Sequence, residues 1–279
     1  MVHKHFVNHD GIGYVSLIDT MPSQTPMDEA IVSAARVSYD SSSTTRLRGT
    51  EGLLRFLLRH DHTTPFEMVE FKFLIRMPLF IARQHMRHRT SSVNEVSARY
   101  SKVQDDVFIP DELREQSAIN RQGSHGVVEG SQELLEVCRE QFEDSNVMYN
   151  ELINSGVCRE QARIVLPQAM YTTFYWKINM HNLMHYLQLR MAAGAQQEIR
   201  DYANKIYDLV QPLAPLSWKA FRDFKLNAIK FSRPEAHLLH KMIRNHPVPR
   251  APDHMGQGEY NEFREKIKTI SKYADSAEF

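Results

Sequence analysis

Residues 69–100 constrain the fold of this chain more than any other segment. From Val69 to Arg76 apolar and polar side chains alternate, with Leu74 the one apolar exception on the polar face. A period of two predicts a half-buried β-strand. Pro78 ends that strand and opens a predicted helix that runs to about His88, because proline suits the first turn of a helix. The chain therefore predicts a buried strand that leads directly into a polar segment.

That polar segment, residues 83–100, is dense in side chains that bind ligands. Its arginines, histidines, amides, carboxylate and serines are Arg83, Arg87, Arg89, Arg99, His85, His88, Gln84, Asn94, Glu95, Ser91, Ser92 and Ser97. Arginine forks suit phosphate oxygens and planar carbonyl groups, and turn-rich backbone leaves N–H groups free to join them. The segment predicts a site for a phosphorylated, carbonyl-rich ligand. A solvated helix end laced with salt bridges is the alternative.

Charge and composition indicate which class of ligand the chain binds and in which cellular compartment it is expected. The 34 basic and 34 acidic side chains give no net charge, whereas proteins that hold long nucleic acids usually carry a basic excess. A small anionic ligand and no nucleic-acid partner are therefore expected. Two cysteines, Cys138 and Cys158, make no disulfide framework. With no apolar signal core and no run of roughly 20 apolar residues, a cytoplasmic protein without membrane contact is expected.

The remaining pattern predicts one α/β (α+β) domain over 1–279, with a central mixed or antiparallel sheet flanked by helices. A polar surface excursion is expected at 111–130 and a C-terminal extension from about 232. Thr25 is the expected N-cap of the first helix and Asn179 that of a later one. Other predicted strands are 14–18 and 171–178, the latter either strand or extended. Other predicted helices are 51–59, 131–154, 158–165, 195–210, 216–229, 234–244 and 260–270, with loops at 40–45 and 62–66.

Two arginines and a histidine pair outside the polar segment are further candidates. Arg163 and Arg190 are flanked by apolar residues, where a lone guanidinium is costly unless it is paired. Each either serves a site, reaches the surface, or pairs with a carboxylate in the core. His181 and His185 are four residues apart, but no third ligand or zincin glutamate follows, so no metal is predicted and a histidine metalloenzyme is kept as an alternative.

One 14-residue window carries a family resemblance. The pattern R-H-R-x-x-S-x-N-E-x-S-x-R-Y matches in full from Arg87 to Tyr100 and resembles the signature of the flavin-dependent thymidylate synthases. The segments 62–67, 162–167, 179–190 and 195–199 resemble further blocks of that family. His85 stands where an aromatic residue such as Trp is common, and His181 where Arg is common.

The resemblance implies a homotetramer with FAD and dUMP at subunit interfaces. It implies transfer of a one-carbon unit from methylenetetrahydrofolate to uracil C5, with flavin reduced by NADPH. The residues that would contact dUMP are Gln84, Arg87, Glu95, Val96, Ser97, Ala98, Arg99, Arg163 and Arg190. Those that would contact FAD are Ser38, Thr64, Arg87, His88, Arg89, Glu95, Asn179, His181 and His185.

Arg190 is the candidate catalytic residue. A guanidinium at the N3/O4 edge of uracil would stabilise charge that builds on the ring in a site shielded from water. Neither cysteine has the setting of a thiolate nucleophile, which suits a route without one. A non-catalytic nucleotide- or RNA-binding module that uses the arginine cluster is the alternative function.

Overall fold

A computed structural model describes residues 3–37, 49–97, 99, 106–118, 123–243, 245–253 and 255–275. They group into two units, Met1–Asn227 and Ala228–Phe279. The strands are β1 (His5–Phe6), β2 (Tyr14–Met21), β3 (Glu70–Pro78), β4 (Ser92–Glu95), β5 (Glu115–Gln116), β6 (Ser124–His125) and β7 (Tyr171–Asn179). The predicted single domain with an extension from about 232 stays a prediction.

Five of these strands build one antiparallel sheet in the first unit. Its spatial order is β1-β2-β3-β7-β4, and every neighbouring pair is antiparallel. The sheet is therefore antiparallel and not mixed, and the α/β class is confirmed. β7, predicted as either strand or extended chain, is a strand. β5 and β6 form a separate two-stranded antiparallel sheet with exposed side chains.

The helices of the first unit are α1 (Met27–Arg36), α2 (Thr50–Arg59), α3 (Thr64–Glu67), α4 (Leu79–His85), α5 (Ser131–Asn154), α6 (Arg159–Ala162), α7 (Met180–Arg190), α8 (Gln197–Val210) and α9 (Pro215–Phe221). Two 3₁₀ turns, Arg163–Val165 and Gln211–Leu213, and a π turn, Arg222–Leu226, follow α6, α8 and α9. The second unit contains α10 (Arg233–Ile243) and α11 (Gln257–Asp275), which pack on each other. Within the described residues no helix has the length and apolarity needed to cross a bilayer.

The core lies on one face of β3 and β7. Phe71, Phe73 and Ile75 of β3 have no exposed surface, as their alternation with polar residues predicts. Trp176 of β7 is equally buried, and its ring centroid lies 5.8 Å from that of Phe73. Since each strand leads straight into a helix, β3 into α4 and β7 into α7, this packing fixes where both helices begin.

Some predicted boundaries are wrong at the ends of elements. Residues 62–66 are not all loop, because α3 begins at Thr64. Pro26 and not Thr25 precedes the first turn of α1. The helix expected to reach His88 ends at His85, after which the amide N–H groups of Arg87 and His88 bond only three residues back. The loop predicted at 40–45 lies outside the described residues.

Candidate active site

The first group of predicted site residues lies where α4 meets the end of α7. We name Gln84, His88, His185 and Arg190 the Arg190 cluster. Arg190 donates from Nε to His88 Nε2 at 3.0 Å and from Nη2 to the backbone carbonyl of Gln84 at 3.3 Å. These two bonds aim the guanidinium, which has three further N–H donors.

The His88 imidazole in this cluster is neutral at physiological pH. Burial lowers its pKa to about 4, with further contributions from the positive charge of Arg190 and from His185. A neutral ring accepts the hydrogen bond from Arg190 at Nε2 and therefore carries its own proton on Nδ1. The His185 ring lies 6.0 Å from it, and His185 is exposed. The cluster thus presents one fixed cation beside the neutral ring of His88.

Two more predicted residues lie at the start of α7, and a third lies in α3, which packs on that helix. Asn179 caps the helix as predicted, its Oδ1 accepting from the Asn182 backbone N–H at 2.9 Å. His181 is half-buried in the first turn, and burial lowers its pKa against the opposing effect of Glu67. Thr64 is exposed at the start of α3, which packs on α7.

A second group of predicted site residues lies at the end of β4, just after it, and in the 3₁₀ turn that follows α6. We name Glu95, Ser97, Arg99 and Arg163 the Arg163 cluster. Glu95 accepts from Thr172 Oγ1 at 2.6 Å, and Ser97 Oγ accepts from the Arg99 backbone N–H at 3.3 Å.

Glu160 joins the two arginines of the Arg163 cluster. Its carboxylate lies 3.1 Å from Arg99 Nη2, and its backbone carbonyl accepts from Arg163 Nε at 3.2 Å. Both arginines are exposed. Two exposed guanidinium groups and a serine hydroxyl form a donor set that suits a phosphate.

The two clusters are not bonded to each other within the described part of one chain. Among the described residues no hydrogen bond or ion pair joins them. Arg87, Arg89 and Val96 are exposed near these clusters, and the Val96 N–H donates to the Thr173 carbonyl at 2.9 Å. Ser38 and Ala98 lie outside the described residues.

Three residues that bond directly to side chains of the clusters, Glu160, Thr172 and Gln196, are absent from the predicted set. Glu160 and Thr172 hold residues of the Arg163 cluster, and Gln196 accepts a hydrogen bond from Gln84. Of these three, only Gln196 has a signal in the sequence, since it falls in the block at 195–199 that resembles the family.

A cleft of about 790 Å³ runs beside α8, and no predicted site residue lines it. Within the described part of the chain no group of three or more His, Cys, Asp or Glu has the arrangement of a metal site.

Buried His85 lies beneath the Arg190 cluster. It has no exposed surface, its Nδ1 lies 3.0 Å from Tyr186 Oη, and its ring lies 4.3 Å from that of Trp176. Burial lowers the pKa of His85 to about 3, with smaller effects from His88 and Arg190. His85 therefore fills a place among aromatic rings as a neutral side chain.

We expect His85→Phe to reduce the loss of stability in acid. In the unfolded chain His85 has a pKa of about 6.5, whereas in the folded chain its pKa is about 3. Below pH 6.5 the unfolded chain therefore binds a proton that the folded chain does not, and the free energy of unfolding falls as the pH falls. When the pH is lowered from 6.5 to 4.5, the free energy of unfolding should fall by about 2 kcal/mol less in the variant than in the wild type. Urea titrations at both pH values measure this difference. His9→Gln, at an exposed position, is the control, and equal losses in wild type and His85→Phe would contradict the expectation.

Comparison with known proteins decides the family. The family model described as thymidylate synthase complementing protein matches residues 16–216. A flavin-dependent thymidylate synthase from Dictyostelium discoideum is 44% identical over 277 residues, which cover 96% of this chain and 86% of the relative. One from Thermus thermophilus is 43% identical over 246 residues, or 88% of this chain and 89% of the relative. The chain belongs to the flavin-dependent thymidylate synthase family.

Solved structures agree with this membership. The chain is similar to the UMP/dUMP methylase PolB from Streptomyces cacaoi bound with 5-Br UMP, with 35% identity, a TM-score of 0.67 and coverage of 76% of this chain and 94% of that one. The same methylase bound with 5-Br dUMP gives a TM-score of 0.68 at 35% identity, covering 76% and 95% of the two chains. The resemblance on which the site prediction rests is thus confirmed. The histidine-metalloenzyme and RNA-module alternatives gain no support from these relatives.

Proposed function

We propose that this member of the flavin-dependent thymidylate synthase family converts dUMP to dTMP. Methylenetetrahydrofolate would supply the one-carbon unit and leave as tetrahydrofolate, and NADPH would supply the reducing equivalents through FAD. The observation that carries the proposal is the fixed guanidinium of Arg190, held by His88 and by the Gln84 carbonyl. Such a preorganised donor stabilises negative charge on a uracil ring without reorganising during the reaction.

The donors of the Arg190 cluster and its surroundings fit FAD. Asn179, His181 and neutral His88 offer hydrogen bonds of the kind that flavin carbonyls and ring nitrogens accept or donate. The exposed cations Arg87 and Arg89 suit the diphosphate. When bound, the flavin supplies the hydride that reduces the transferred carbon to a methyl group. The protein holds the ring and the nucleotide against each other.

The Arg163 cluster fits the phosphate of dUMP. Glu160 holds Arg99 through an ion pair and Arg163 through a hydrogen bond to its own backbone carbonyl, and Ser97 adds a hydroxyl donor. Glu95, held by Thr172, can accept from a sugar hydroxyl. Arg190 would then polarise the uracil edge while the phosphate anchors the other end of the nucleotide.

We further propose that the clusters meet across subunits of a homotetramer. β4 is an edge strand whose four side chains are exposed, among them Val93, and Val96 directly after it is 57% exposed. Exposed strand edges with apolar side chains are commonly covered by a partner. Because no hydrogen bond or ion pair joins the clusters among the described residues of one chain, we expect a neighbouring copy to complete each site. The two free cysteines fit a reducing, cytoplasmic location.

The experiment that tests the function is a flavin oxidation assay. Purified protein loaded with FAD and reduced by NADPH without oxygen should be reoxidised when dUMP and methylenetetrahydrofolate are both added, with dTMP as product. Omission of either substrate is the control. Salt-sensitive polynucleotide binding without any flavin uptake would overturn the proposal in favour of an RNA-binding module.

A further inference from the structure

An amide pair connects the Arg190 cluster to the helix that follows it. Gln84 donates from Nε2 to Oε1 of Gln196, which lies 112 residues further along the chain. Both side chains are half-buried. Neither the family resemblance nor the charge pattern assigns a role to Gln196, although Gln84 is a predicted dUMP contact.

Gln196 is fixed by the start of α8. Its backbone carbonyl accepts from the Arg200 N–H at 3.1 Å, and the turn before it is closed by the Ala195 N–H, which donates to the Ala192 carbonyl at 2.9 Å. Ile199 in the first turn of α8 is fully buried. Gln196 therefore offers its Oε1 from a rigid support.

Gln84 is fixed at its backbone as well as at its side chain. Its carbonyl accepts from Arg190 Nη2 at 3.3 Å, while its amide nitrogen is taken by Gln196. A primary amide has donors on nitrogen and acceptors on oxygen. With the nitrogen turned to Gln196, Oε1 of Gln84 is the atom left to accept, and it has no partner among the described residues.

We propose that Gln196 is a positioning residue for substrate binding. It orients the Gln84 amide so that Oε1 accepts a hydrogen bond from the bound nucleotide. This role rests on the proposed function, because it requires that Gln84 contacts dUMP. This role requires a hydrogen-bond acceptor at position 196, whereas a donor there is not needed.

Three variants test whether position 196 needs a hydrogen-bond acceptor. Gln196→Met keeps the length of the side chain and removes the acceptor, and Gln196→Glu keeps the acceptor and removes the donor. Gln197→Met makes the same change one residue on, where the side chain bonds to Asp201 at 2.6 Å and not to Gln84. For each, KM for dUMP, kcat, FAD affinity and melting temperature are measured on the FAD-loaded enzyme.

We expect Gln196→Met to raise KM for dUMP about fivefold, the usual effect of one lost hydrogen bond, without a matching change in kcat or in FAD affinity. Gln196→Glu and Gln197→Met should keep KM within about twofold of the wild type. An unchanged KM in Gln196→Met, or equal losses in the Met and Glu variants at 196, would overturn the role of Gln196. A wild type that binds no FAD and makes no dTMP would instead overturn the proposed function.

Discussion

Arg190→Ala is expected to lower kcat for dTMP formation by about 10²–10³-fold while FAD stays bound. The guanidinium is aimed by bonds to His88 Nε2 and to the Gln84 carbonyl, so its remaining N–H groups meet the ligand in a fixed direction. Loss of a preorganised donor acts on the transition state more than on binding, and KM should change less than kcat. Single-turnover reoxidation of reduced flavin, together with the flavin absorbance of the purified variant, measures both effects.

Two further variants separate the role of Arg190 from general damage. Arg190→Lys keeps the charge and loses the planar fork, so it should recover only part of kcat. Arg139→Ala removes an arginine from the surface of α5, where Arg139 pairs with Glu136, and should leave turnover unchanged. Wild-type turnover in Arg190→Ala, at an unchanged melting temperature, would exclude Arg190 from the chemistry.

The elements that carry the site were predictable where local pattern decides structure. Period-two alternation identified β3, whose inward side chains are fully buried. Asn179 was identifiable as an N-cap because its amide oxygen satisfies a backbone N–H at the start of α7. The bounds of α5 match the prediction at both ends. Its C-terminal end was predictable because Gly156, with a φ of 87°, permits the left-handed turn that follows the helix.

Partners that are distant in sequence were not predictable from that pattern. Arg190 meets His88 across 102 residues, and Gln84 meets Gln196 across 112. Alternation and capping report on neighbours a few residues away, whereas these pairs depend on how α4, α7 and α8 pack. The neutral state of His88 was hidden for the same reason, because burial and the charge of Arg190 set its pKa. The resemblance supplied the residue types of the site but not their contacts.

A mixture of two inactive variants is expected to regain activity. One variant is Arg190→Ala, and the other is the double variant Arg99→Ala with Arg163→Ala. If each site takes the Arg190 cluster from one subunit and the Arg163 cluster from another, random exchange of subunits gives both intact clusters in about a quarter of the sites. Turnover of dUMP should rise from near zero towards that fraction of the wild-type rate.

The control mixes two variants of the same cluster, Arg190→Ala and His88→Ala. No site in that mixture receives an intact Arg190 cluster, so its activity should stay at the level of the separate variants whichever subunits meet. Subunit exchange is verified in both mixtures by mass spectrometry of the intact assemblies, with one variant carrying a heavier isotope. Recovery in the first mixture alone would show that each site takes its two clusters from different subunits, as proposed. No recovery in either, despite verified exchange, would mean that each chain closes its own site and that the exposed edge at β4 serves another purpose.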